Sequence, residues 1–224
     1  MPSGICRAVS YSIRGFRMVD KITVAPYGVT KLDEKQINIV EKVINDTELE
    51  WNDAILLEDG DSSIKKEDSS VRSGKTCFLP VNDELTELFG KLILDYNINF
   101  SNWNFEIEFI EAIQLGHYHE GDFYEWHIDS FQNPSFKTKH EYHPGKPYNR
   151  KISVTVFLND PEEYEGGELD LETGGPNEEE RFKSFKMPKG TMIVFPSYMW
   201  HRVRPVTSGV RKSLVLWIQG PPFK

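Results

Sequence analysis

Two residues apart in the segment FYEWHID stand a histidine and an aspartate, His127 and Asp129. In an extended strand, side chains two apart share a face, so this imidazole and this carboxylate point into one cavity. By itself the pair is a weak signal, common by chance. A second imidazole, His201, follows the apolar run GTMIVFPS and the turn YMW, and leads into another strand. Two imidazoles and one carboxylate make a facial triad with open positions, a set that suits non-haem iron(II). Three open positions can hold a bidentate 2-oxo acid and then dioxygen. Arg211 lies ten residues after His201 and opens the run SLVLWI. A run that apolar reads as a central strand, which would bury the guanidinium. There it needs an anion, and its fork matches a carboxylate. The bland alternative is a surface arginine on an edge strand. Tyr118 is placed to donate a phenolic hydrogen bond to the same anion.

The elements that must position these groups are readable from pattern. Leu32, Ile37, Val40, Val43 and Ile44 recur near helical spacing, which predicts a helix over about 33–47 capped by Thr30 or Asp33. Leu85, Leu88, Phe89, Leu92, Ile93 and Tyr96 predict a second helix over about 82–97, with Asn82 or Asp83 as cap. A short strand is expected at Lys21–Gly28, and loop or weak strands over 52–76. From Trp103 onward the texture is β-branched and aromatic. Strands are expected at Lys151–Asn159, Gly166–Glu172, Arg181–Met187, Gly190–Ser197, His201–Val206 and Arg211–Gln219. The acidic stretch Gly174–Arg181 reads as a solvated hairpin loop. Two helices followed by many short strands predict a mainly β fold with supporting α-helices, arranged as an antiparallel sandwich with the helices on one outer face.

Composition narrows the function classes. The chain has 224 residues, with 26 Lys+Arg against 35 Asp+Glu and a formal net charge of −9. That length and that ordinary apolar content fit one domain over 1–224. Net acidity argues against general polyanion binding, so nucleic acid is an unfavoured partner. Two cysteines, Cys6 and Cys77, make no disulfide scaffold. The absence of a secretory signal or an apolar run of spanning length leads to the expectation of a cytoplasmic protein with no membrane partner. The glycines form neither a dinucleotide nor a P-loop pattern.

Three segments together resemble the iron(II)- and 2-oxoglutarate-dependent oxygenases, in their prolyl 4-hydroxylase-like branch of bacterial or phage type. HYHEGDFYEWHID (His117–Asp129) resembles the segment that carries the metal His-x-Asp, with Tyr118, Gly121 and Tyr124 before it. KISVTVFLNDPEEYEGGELDL (Lys151–Leu171) resembles the next two core strands. KGTMIVFPSYMWHRVRPVTSGVRKSLVLWIQ (Lys189–Gln219) resembles the distal metal histidine and the 2-oxoglutarate arginine. More weakly, Val71–Pro80 and the helix after it resemble the branch's amino-terminal support region. The resemblance implies a double-stranded β-helix (a jelly roll, cupin-like), with a helical support region over 21–100 and a catalytic core over 105–220. It implies that His127, Asp129 and His201 bind Fe(II) and are the catalytic centre. It implies that Arg211 and Tyr118 bind 2-oxoglutarate, with dioxygen as oxidant and ascorbate as reductant. Some relatives carry a cosubstrate tyrosine where this chain has Phe157, so the anion site here leans on Arg211 and Tyr118. Asp129 stands where related halogenases have a small residue, which disfavours halogenation.

The implied activity is hydroxylation of an aliphatic C–H, first of all a peptidyl proline, coupled to decarboxylation of 2-oxoglutarate to succinate and carbon dioxide. A peptide or protein is the expected substrate, with a small molecule as the other option. Tyr124 and Trp217 are candidate substrate-pocket residues, although Trp217 is equally readable as core. Two other readings stand beside this one: an oxidative nucleic-acid demethylase using the same iron site, and a non-catalytic interaction protein. The long segment 130–150 mixes Phe131, Phe136, Tyr142 and Tyr148 with Lys137, Lys139, Lys146 and Arg150, and reads as a lid or an inert insert. His140 and His143 in it read as loop residues. His117 and His119 lie off the metal spacing.

Overall fold

The computed structural model of the chain describes residues 24–54, 56–57, 65–66, 70–130, 148–175 and 178–223. Most of the 130–150 segment, with His140 and His143, lies outside the described residues, as do Cys6 and the first arginines.

The two helices form where the apolar spacing places them. α1 spans Glu34–Asp46 and α2 spans Asp83–Asp95. Asp33 caps α1: its carboxylate accepts from the Gln36 amide at 2.8 Å, and the Gln36 side chain accepts from the Asp33 amide at 2.9 Å. Asn82 caps α2, accepting from the Leu85 amide at 2.9 Å. A wider turn, Tyr96–Phe100, continues α2.

The strands are β1 (Gly28–Lys31), β2 (Asn52–Asp53), β3 (Leu56–Leu57), β4 (Lys65–Lys66), β5 (Lys75–Phe78), β6 (Phe109–Ile110), β7 (Gln114–Tyr118) and β8 (Tyr124–His127). After them come β9 (Asn149–Phe157), β10 (Tyr164–Gly166), β11 (Leu169–Glu172), β12 (Phe182–Phe185), β13 (Thr191–Pro196), β14 (His201–Val203), β15 (Val206–Gly209) and β16 (Arg211–Gly220). A large sheet runs β1-β13-β9-β16-β7-β5-β2, with β6 on β16. A four-stranded sheet runs β12-β11-β14-β8, and β10-β15 and β3-β4 are separate pairs.

This arrangement corrects the expected double-stranded β-helix. The fold is mixed α/β with several separate sheets, and they do not close into a barrel or jelly roll. The large sheet ends at β1 and β2, the small one at β12 and β8. Local chemistry breaks the strands that were expected to run on. Gly166 and Gly167 both have positive φ, at 68° and 66°. The expected strand Gly166–Glu172 therefore splits: β10 pairs with β15 and β11 with β12 and β14. Pro205, which has no amide hydrogen, separates β14 from β15 in the same way. Of the expected strand at Lys21–Gly28, residues 21–23 lie outside the described residues and 24–27 are not strand; β1 runs instead over Gly28–Lys31, after Pro26, and pairs with β13.

Period-two alternation gives the large sheet two different faces. Ile152, Val154 and Val156 of β9 and Leu214, Leu216 and Ile218 of β16 face the helices. They pack with Val40, Val43, Leu85, Phe89 and Ile93 in one apolar core. Each such side chain, fully buried, contributes about 1.5–3 kcal/mol. The alternate residues, Ser153, Thr155, Ser213, Val215 and Trp217, turn to the other face and line a cavity against the small sheet. Phe157, Leu169, Leu171, Phe185, Ile193, Phe195 and Met199 form a second apolar cluster beside it. Truncating Phe89, which is fully buried, will therefore loosen the helical layer from the sheet. Phe89→Ala is expected to lower unfolding free energy by about 3–5 kcal/mol in a urea titration. A loss under 1 kcal/mol, on the order of a surface substitution, would contradict that packing.

Candidate active site

His127 ends β8 and His201 begins β14, and the two are direct partners in the ladder. Their ring centroids lie 4.0 Å apart. Asp129 sits just beyond β8. Its amide and that of Ser130 both donate to the Ser197 carbonyl at 2.9 Å, which ties the residue to the turn before His201. The three ligand atoms all lie within 4.8 Å of one another. His201 Nε2 stands 3.4 Å from one Asp129 oxygen, and His127 Nε2 stands 3.8 Å from the other.

Both rings are turned by backbone carbonyls. His127 Nδ1 lies 2.7 Å from the Glu125 carbonyl and His201 Nδ1 lies 2.9 Å from that of Met199. A carbonyl only accepts, so Nδ1 carries the hydrogen and Nε2 is left as the ligand atom on the side of Asp129. Burial, with His201 beside it, pushes the His127 imidazole well below its ordinary pKa and keeps it neutral. Burial acts the other way on Asp129, but His201, His127 and Arg150 outweigh it and hold the carboxyl below the usual range. Two imidazoles and one carboxylate, converging from three short segments, form a 2-His-1-carboxylate triad. That donor set fits Fe(II).

The opposite end of the cavity belongs to Arg211. It opens β16 opposite Tyr118 of β7. It is 1% exposed, with its guanidinium carbon 5.4 Å from the Tyr118 ring centroid and 5.5 Å from that of Phe157. Its one hydrogen-bonding neighbour is Ser213 Oγ, at 3.0 Å from Nη1, and its Nε is buried with no partner. Among the described residues no carboxylate pairs with it. A buried guanidinium in that condition fits an anionic ligand, such as the distal carboxylate of 2-oxoglutarate.

Tyr118, Tyr124, His127, Asp129, His201, Arg211 and Trp217 thus line one cavity, together with Arg72 and others. The Tyr124 ring stacks on His127 with centroids 3.5 Å apart, and burial pushes its phenol up to about 12. Trp126 points away, against Phe182 on the far side of the small sheet. His117 stacks on Trp51 and His119 lies beside Asp122, both outside the cavity.

Residue-type patterns alone missed several supporting groups. Ser153 Oγ donates to Asp129 at 2.7 Å and lies 2.8 Å from Ser197 Oγ. Arg150 stacks on Trp217, 3.9 Å from ring centroid, while its Nε and Nη2 donate to the two Glu111 oxygens at 2.7 Å. Arg72 covers the Tyr124 ring at 4.5 Å. Alternation could have found Ser213, two residues after Arg211 on one strand. Nothing local marks Ser153 or Glu111.

The family model described as "2OG-Fe(II) oxygenase superfamily" matches residues 113–219, the stretch that holds all of these groups but Arg72 and Glu111. Residues 113–219 are similar to a 2OG-Fe(II) oxygenase domain. The domain is 45% identical over 103 residues to a PKHD-type hydroxylase of Hyphomonas neptunium, a match covering 45% of this chain and 39% of that protein. The chain thus spans about two fifths of the length of the curated relatives it matches. In fold, the chain resembles a Pseudomonas putida prolyl-4-hydroxylase, with a TM-score of 0.61 at 17% identity over 88% of this chain and 94% of that one. It also resembles a Trichoplax adhaerens prolyl hydroxylase solved with a peptide fragment of hypoxia inducible factor. There the TM-score is 0.60 at 18% identity, over 86% and 83% of the two chains. No helix among the described residues is long and apolar enough to cross a membrane.

The serine beneath Asp129 supplies a test of the centre. Ser153→Ala is expected to weaken Mn(II) or Fe(II) binding about tenfold by titration calorimetry, with melting nearly unchanged. Unaltered metal affinity would remove Ser153 from the centre.

Proposed function

We propose that the chain is an Fe(II)- and 2-oxoglutarate-dependent dioxygenase that hydroxylates an aliphatic C–H, with a peptidyl proline as its first substrate class. One observation carries the reading. A triad of Fe(II)-type ligands and a buried arginine without a carboxylate of its own face the same cavity. The similarity to PKHD-type hydroxylases and prolyl hydroxylases supports the substrate class.

His127, Asp129 and His201 would hold the iron, and Arg211 with Tyr118 would hold the distal carboxylate of 2-oxoglutarate. Iron, 2-oxoglutarate and dioxygen together supply oxidation of the C–H with release of succinate and carbon dioxide, and ascorbate serves as reductant. The chain's own residues supply position. The Glu125 and Met199 carbonyls and Ser153 keep the three ligands aimed at one point. Ser213 fixes one arm of the Arg211 fork. Leu169, Phe195, Val203 and Val215 line the walls and keep water from the centre. Trp217, braced by Arg150 and Glu111, offers a flat aromatic surface for a substrate side chain, and Tyr124, stacked on His127 and covered by Arg72, borders the same cavity. A pyrrolidine ring suits such a surface, since it is apolar, compact and donates no backbone hydrogen bond. The free, buried Cys77 and the low cysteine count support a reducing, cytoplasmic setting.

The test is succinate formation from 2-oxoglutarate with Fe(II), ascorbate and air, with and without prolyl peptides followed by mass spectrometry. Succinate that rises with a peptide gaining one oxygen atom is the expected outcome. Peptide-independent succinate would keep the oxygenase and discard the peptide. His127→Ala and His201→Ala are expected to abolish succinate while keeping the fold. Arg211→Ala is expected to weaken 2-oxoglutarate about 100-fold, because a buried anion loses its charged partner. Wild-type turnover in any of the three would refute the assigned role.

A further inference from the structure

Close to Arg211, outside the cavity lining, lies a second buried polar atom without a hydrogen-bond partner. Beside Nε of Arg211 it is the hydroxyl of Tyr164. Tyr164 is 2% exposed and begins β10, where it pairs with Gly209, two residues before Arg211. Gly167 lets the two side chains close together. A Cβ at that position would stand 3.1 Å from Arg211 Cδ and 3.2 Å from Tyr164 Cε2. The phenol ring and the arginine stem therefore share the space over one glycine. Burial lowers the pKa of Arg211, and Tyr118 and Tyr164 are the two groups that act against it. On the remaining side the guanidinium meets Phe157, a ring with no hydroxyl. A buried hydroxyl and a buried N–H, both unpaired and carried by side chains that pack over the same glycine, are unfavourable apart and complementary together.

We propose that Tyr164 is a positioning residue for Arg211. Its hydroxyl oxygen accepts from Arg211 Nε–H when the terminal nitrogens take the distal carboxylate of 2-oxoglutarate. The fork is then held at three points: Nε by Tyr164, Nη1 by Ser213, and the terminal nitrogens by the ligand. This rests on the cosubstrate reading above. It assigns to a β10 tyrosine the polar support that Phe157 cannot give.

The experiment compares wild type, Tyr164→Phe and Arg211→Ala, each loaded with Mn(II) and titrated calorimetrically with 2-oxoglutarate and with pyruvate. Pyruvate has the 2-oxo acid end and lacks the distal carboxylate. Tyr164→Phe is expected to bind 2-oxoglutarate about tenfold more weakly, with pyruvate affinity and melting temperature unchanged. Equal weakening towards both ligands would mean a packing role and overturn the proposal. So would wild-type affinity in Tyr164→Phe alongside a loss in Arg211→Ala, and in that case the cosubstrate reading survives. Failure of the wild type to bind 2-oxoglutarate would overturn that reading and this inference with it.

Discussion

A positive charge buried on a central strand, with no carboxylate paired to it among the described residues, constrains much of this structure. Arg211 cannot be solvated, and its protein partners are a serine hydroxyl and the faces of two rings. The strand that carries it, β16, pairs with β7 on one side and β9 on the other, so the charge is locked in by ladders on both edges. The same strand carries Ser213 to steady the guanidinium and Trp217 to line the cavity further along. Its alternate residues, Leu214, Leu216 and Ile218, anchor it to the helical layer. A charge placed this way is costly unless an anion completes it. The fold tolerates it because the strand around it is among the best buried in the molecule.

The metal end is organised on the opposite principle. Its carboxylate is supported inside the protein: it faces two imidazoles whose other nitrogens are committed to carbonyls, and Ser153 and Arg150 act on it as well. The small sheet supplies both histidines through one ladder pair, and the turn at Ser197 supplies the tie that brings Asp129 over. Ser153 reaches the carboxylate from the large sheet. The centre is therefore held from both sides of the cavity. Relative movement of the two sheets would change the triad and the arginine site together.

The open arrangement of the sheets is compatible with this. Function requires that β8, β14, β9 and β16 face one another across the cavity, and it does not require that hydrogen bonding close around them. The breaks that keep the sheets apart are chemically specific. Two consecutive glycines with positive φ separate β10 from β11, and a proline separates β14 from β15. The first of these breaks also brings Tyr164 and Arg211 together over Gly167.

Much of the site was legible in residue types and in alternation. His127 and Asp129 two apart, His201 before a strand, and Arg211 at the head of an apolar run are local facts, as are the helix faces and the Asp33 and Asn82 caps. Side-chain periodicity is a property of a single strand or helix, so it can be read without knowing what lies beside it. The double-stranded β-helix did not follow from that periodicity, because sheet closure depends on which strand edges meet. Nor did Ser153 under Asp129, Glu111 behind Arg150, or Tyr164 beside Arg211. Each of those pairs is separated by at least 24 residues and depends on register and backbone breaks far from either partner. The sequence by itself determined which groups could do the chemistry and which way each faces its own strand. The tertiary structure decided which of them meet, because contact across a cavity is set by the packing of whole sheets.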